Sequence, residues 1–98
     1  MRVHLDHTLG KDEVRKRMRE RSHEIADYFP AGMATIDTSW RDEDTMELVI
    51  TAVGQRITGA VEIYADEVVI DLQLPPMLGF LRGTIEKAMR NEGTKLLE

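Results

Sequence analysis

Three side chains near the start of this chain are of types that bind metals: His4, Asp6 and His7. Two imidazoles and a carboxylate would suit a divalent cation if they converged. Their spacing argues against convergence. Side chains on a strand alternate between faces, so His4 and His7, separated by an odd step, point opposite ways. A metal would require the strand to break there. His7 is expected instead to be a partly buried imidazole at a strand–helix junction, bonded to backbone groups of the Thr8-Leu9-Gly10 turn. No metal and no cofactor is expected.

Four carboxylates, Asp37, Glu47, Glu62 and Asp71, fall on one face of the strands described below. Paired carboxylates can do acid–base work when burial or a neighbour raises one pKa. Here an exposed face is expected, with no cleft around them. The chain has no cysteine, which excludes disulfides, thiolate metal sites and a thiol nucleophile. It has no nucleophile elbow, phosphate loop or dinucleotide fingerprint. No catalytic residue is assigned, and the protein is not expected to be an enzyme.

Residues 15–21 hold five basic side chains, and Lys11 adds a sixth. They could form a patch for polyanions. Helical spacing instead pairs Asp12 with Lys16, Glu13 with Arg17, Arg17 with Glu20 and Arg21 with Glu24. The expected result is a solvated helix face, with His23 on its polar side. With a net charge of −5 and no basic cluster interleaved with aromatics, no nucleic acid partner is expected.

The elements that must position these residues read as β-α-β-β-β-β-α. Arg2 to His7 make a first strand, with Val3, Leu5 and His7 on one face. Helix 1 runs from about Lys11 to Phe29, with Val14, Met18, Ser22, Ile25 and Phe29 as its core stripe. Pro30-Ala31-Gly32 stops it. Four strands follow, alternating through Ala34–Trp40, Met46–Ala52, Ile57–Ile63 and Val68–Leu74. Arg41 to Asp44 form a polar turn. The Pro75-Pro76 pair ends the last strand. Helix 2 begins between Pro76 and Phe80 and ends near Asn91 to Gly93, burying Leu78, Leu81, Ile85, Ala88 and Met89.

Short connections make the last four strands an antiparallel meander. The first strand is expected beside the last. A sheet polar on one face is covered only on the other, so both helices should pack on the apolar face. The fold class is α+β: a curved antiparallel sheet with two helices on one face, like a reduced helix-grip. Ninety-eight residues make one domain, 1–98, with a modest core. Residues 96–98 read as a tail or a cloning remnant. No signal core and no transmembrane run is visible, and a cytoplasmic protein is expected.

Several glycines and one apolar segment stand out. Gly10 permits the turn into helix 1. Gly59 sits on the inward strand face, where a missing side chain implies close approach of helix and sheet. Gly79 and Gly83 would be costly in a helix, which favours a late start for helix 2. Met77, Leu78, Phe80 and Leu81 then form a dense apolar segment that either packs in the core or offers a binding surface.

His7-x-Leu9-Gly10 before an Arg-rich helix, Gly59-Ala60-Val61-Glu62-Ile63, Glu67-Val68-Val69-Ile70, Leu74-Pro75, Phe80 and Ile85-Glu86 occur here in a characteristic order. In this the chain resembles the polyhydroxyalkanoic acid system proteins, small bacterial proteins linked to polyester storage granules. The resemblance spans about residues 2–89 and departs most over residues 35–47. It implies a non-enzymatic protein that associates with granules or regulates them. The implied partner is a granule surface or a granule protein, and a homo-oligomer is compatible with it. Met77, Leu78, Phe80 and Leu81 are the candidate binding residues; His7, Leu9, Gly10 and Gly59 are structural. The alternative is a small carrier of hydrophobic ligands, with Phe29, Trp40, Tyr64 and Phe80 around a cavity between helix and sheet.

Overall fold

Alternation governs the sheet. In the computed structural model, which describes residues 1–29, 34–52 and 54–98, five strands form: β1 (Arg2–Asp6), β2 (Ala34–Asp42), β3 (Thr45–Ala52), β4 (Gln55–Ile63) and β5 (Glu67–Gln73). All neighbours are antiparallel, in the order β1-β5-β4-β3-β2. The meander and the pairing of the first strand with the last are both present. Val3 and Leu5 of β1, Met46, Leu48 and Ile50 of β3, Ile57, Val61 and Ile63 of β4, and Val68, Ile70 and Leu72 of β5 are buried on one face. Burial of that apolar face is the main driving force for the fold.

The helical elements cover that face in four pieces, not two. Helix α1 spans Lys11–Arg21 and then tightens into a 3-10 stretch, Ser22–Tyr28. The expected α-helix to Phe29 therefore ends early. Arg21 departs from helical geometry at φ −126° and ψ 9°, and Ser22 is a weak helix former. The stripe still points inward: Val14, Met18, Ile25 and Phe29 are buried and Ser22 is half-buried. The Pro30-Ala31-Gly32 stop lies outside the described residues.

A second 3-10 stretch, Pro76–Leu81, precedes helix α2, Arg82–Leu96. The helix starts late, as Gly79 and Gly83 suggested, and runs past the expected end at Asn91 to Gly93. Gly93 is itself buried, in line with Ile85, Met89 and Leu96. Leu96 and Leu97 belong to the core cluster, so residues 96–98 do not trail as a free tail. Two hydrophobic side chains at the last turn hold them there. Arg17 donates to the carbonyls of Leu96, at 3.0 Å, and of Glu98. A cation at a helix C-terminus suits both the orphan carbonyls and the dipole.

The space between helices and sheet is filled. Met18, Ile25, Met46, Ile50, Ile57, Ile70, Leu72, Ile85 and Met89 are fully buried there. Gly59 marks its tightest point, with a different cause from the one expected. A Cβ at Gly59 would lie 2.5 Å from the Asp71 carbonyl oxygen, 2.7 Å from Leu72 Cδ2 and 3.2 Å from Leu48 Cδ1. Leu48 and Leu72 are its paired neighbours on β3 and β5. They lean together over the glycine, so the crowding comes from flanking strands and not from a helix.

Candidate functional site

The apolar segment after β5 divides by its period. A 3-10 helix has three residues per turn, so positions i and i+3 stack on one side. Leu78 and Leu81 face inward and are 2% and 8% exposed. Met77 and Phe80 face outward and are 71% and 76% exposed. Of four proposed binding residues, two are therefore core and two are surface. Pro76 starts the turn with its φ already suitable, and the Leu78 N–H donates to the Pro75 carbonyl at 2.9 Å. The turn is fixed from below by Leu78 and Leu81, while Met77 and Phe80 form a tip at one end of the sheet.

Gln55, at the start of β4, donates from Nε2 to the Met77 sulfur at 3.6 Å. Arg82 joins Pro75, Pro76 and Gly79 around a shallow cleft of about 310 Å³ beside the tip. Neither residue was legible as part of a site, because no local spacing links Gln55 to Met77. A cation next to exposed apolar side chains suits an interface whose other side is apolar but carries acceptor oxygens.

The other candidates separate. His4 is exposed on the outer sheet face, 3.5 Å from Glu67. His7 is buried on the inner side. Its Nδ1 accepts from the Leu9 N–H at 3.2 Å, and its Nε2 lies 3.0 Å from the Tyr64 carbonyl. Acceptance at Nδ1 leaves the ring proton on Nε2, which donates to Tyr64. The imidazole thus ties the β1 exit to the β4–β5 turn, and its two nitrogens are both engaged. Gly10 follows with φ 81° and ψ 157°, a region that in practice only glycine occupies.

The four carboxylates share the outer face, and the face is not flat as expected: Asp37, Glu47 and Asp71 line one open hollow of about 460 Å³, while Glu62 lies outside it. Arg2 bridges Glu62 at 3.2 Å and Asp71 at 3.1 Å. Glu47 takes Arg41 at 2.5 Å. To reach Glu62 on β4 from β1, Arg2 crosses β5. Val69, which lies between His4 and Glu62 in register, is 1% exposed although it is on the outer face. The Tyr64 hydroxyl donates to Glu62 at 2.8 Å, and this hydrogen bond holds its pKa above the ordinary phenol value.

The basic helix has also found partners. Lys11 reaches Asp44 at 3.0 Å, and Arg15 reaches Asp44 from Nε at 3.0 Å and again from Nη2. Asp12 pairs with Arg15 at 2.7 Å instead of with Lys16. Glu13–Arg17 and Arg21–Glu24 form as expected. Hydrogen bonds from Arg15 and then Lys11 hold the Asp44 carboxyl below the usual range, and the same contact raises Arg15. These charges clasp the β2–β3 turn to α1. Trp40 lies under the Arg19 guanidinium, 5.3 Å from ring centre to carbon.

The aromatic residues named for a ligand cavity do not converge. Phe29 is buried, Trp40 is half-buried beneath Arg19, and Tyr64 and Phe80 lie at opposite ends of the sheet.

A family model described as "Putative polyhydroxyalkanoic acid system protein" matches residues 1–97. The chain belongs to this polyhydroxyalkanoic acid system family. No curated protein and no solved structure is significantly similar to it. The α+β fold with five antiparallel strands, and the tip formed by Met77 and Phe80, are thus those of a polyhydroxyalkanoic acid system protein. Among the described residues, no helix is long and apolar enough to cross a membrane.

Proposed function

We propose that this protein is a non-enzymatic accessory of polyester granules in the cytoplasm, docking through Met77 and Phe80. The observation that supports this reading is the exposure of these two large apolar side chains on a turn whose other side is buried. Scattered single apolar residues need no explanation, but two stacked on one face and anchored from below form a directed contact. The polyester named in the family's description suits such a contact, being apolar in its chains and rich in carbonyl acceptors. Arg82 beside the tip suits those acceptors.

Magnitudes set the strength of the contact. Burying two such side chains contributes roughly 3–6 kcal/mol, short of the roughly 8 kcal/mol of a micromolar complex. Docking by one tip is weak and reversible, and stable coating requires many copies or a second contact.

Co-sedimentation with isolated polyester granules tests the reading, with washed membranes as control. Wild-type protein should pellet with granules, and Met77→Ser/Phe80→Asp should remain in the supernatant while melting at the wild-type temperature. Leu78→Asp should unfold, because it buries a charge without a partner. Wild-type protein that never pellets with granules, or a double variant that still does, would overturn the docking role.

A further inference from the structure

The two edges of the sheet differ in length. β1 is short, five residues; α2 packs against it, as the 3-10 stretch Ser22–Tyr28 packs against β2. β2 is nine residues long, and on its far side the described residues place no strand. Natural edges are usually blunted by lysine, proline, inward charges, bulges or a covering element. β2 has neither lysine nor proline. Its one irregularity is the register shift between Trp40 and Asp42, at its end. From Ala34 to Trp40 the pairing with β3 is regular. Its residues on the helix side are not buried: Ile36 and Trp40 are half-buried, and Thr38 is exposed.

We infer that β2 pairs with β2 of a second copy, antiparallel, about a two-fold axis through Thr38, making one ten-stranded sheet. The strand is complementary to its own reversal. An axis perpendicular to the sheet keeps both helical layers on one side and places residue 38−n opposite 38+n. On the helix side Ile36 then faces Trp40, twice, with Thr38 meeting its copy on the axis. Aromatic and β-branched residues form favourable cross-strand pairs. On the outer side Asp37 faces Ser39, twice, a hydroxyl donor opposite a carboxylate that has no cation within salt-bridge distance among the described residues. An axis at Asp37 would set two carboxylates face to face. The pairing closes after one step, so it yields a dimer and not a fibre.

The paired strands lie apart from the Met77/Phe80 tip. The axis exchanges the two ends of the sheet, so the two Met77/Phe80 tips point away from each other.

The absence of cysteine makes the test direct. Opposed residues in an antiparallel pair have Cα atoms about 4.5–5.5 Å apart, within disulfide reach. Thr38→Cys should therefore oxidise to a covalent dimer. Thr35→Cys, also exposed, would lie about 20 Å from its own copy and should not. At micromolar protein, Thr38→Cys should cross-link on the order of a hundredfold faster, since its thiols meet at millimolar effective concentration. Sedimentation equilibrium of the wild type should give twice the chain mass. Ser39→Asp, which sets carboxylates opposite Asp37, should shift the mass to monomer with the far-ultraviolet spectrum unchanged. A monomeric wild type, equal cross-linking of the two cysteine variants, or a Ser39→Asp protein that stays dimeric would each overturn the proposal.

Discussion

The Nε2–H of His7 donates to the carbonyl of Tyr64 at 3.0 Å across 57 residues of sequence. With Nδ1 occupied by the Leu9 N–H, one buried ring satisfies a donor and an acceptor from two separate turns. Either backbone group left unpaired would cost about 1–3 kcal/mol.

His7→Ala should therefore lower stability by a few kcal/mol in urea denaturation, on the order of those two losses. His7→Asn should recover part of it, because its carbonyl oxygen can still accept from Leu9. If His7→Asn and His7→Ala denature at the same midpoint, the Leu9 bond contributes nothing measurable.

Gly59→Ala should be destabilising, in contrast to most glycine replacements in strands. The added Cβ meets the Asp71 carbonyl at 2.5 Å and two leucine side chains. Backbone cannot yield as a side-chain tip can, so a loss of about 1–3 kcal/mol is expected. A denaturation midpoint at or above the wild-type value would show that β4 shifts freely. By contrast, a Cβ at Gly79 or Gly83 meets nothing within 4 Å.

Stability should fall in acid partly through Asp44. Its carboxyl is held below the usual range in the folded protein by hydrogen bonds from Arg15 and Lys11. A depressed folded pKa means that the unfolded chain binds the proton first. The contribution is present above the ordinary carboxylate pKa and is lost as pH falls toward the depressed value. Glu24, lowered by its hydrogen bonds from Arg21, acts in the same direction. Asp44→Asn should give a shallower acid limb in a plot of melting temperature against pH. Superimposable acid limbs would show that the clasp does not couple to folding.

Strand order and inner face were legible because alternation is a two-state signal: Ile57, Val61 and Ile63 cannot face inward without placing Thr58 and Glu62 outward. The metal-ligand types of His4 and His7 separate for the same reason. Helical details were less legible. Ser22 to Phe29 and Pro76 to Leu81 carry apolar spacings compatible with either α or 3-10 geometry, and tertiary packing chose the tighter one. For Met77, Leu78, Phe80 and Leu81, the helical stripe already set Leu78 and Leu81 inward, but the density of apolar residues left the side taken by Met77 and Phe80 open. Val69 shows the limit of face assignment, since it lies on the polar face between His4 and Glu62 yet is 1% exposed.

The three-residue period of Pro76–Leu81 has a consequence for how this segment can change. Leu78 and Leu81 answer to the interior, while Met77 and Phe80 answer only to what lies outside. Substitutions in one pair leave the constraints on the other intact. The turn is a socket with an interchangeable head: affinity for an external surface can drift or be redesigned there without renegotiating the fold that carries it.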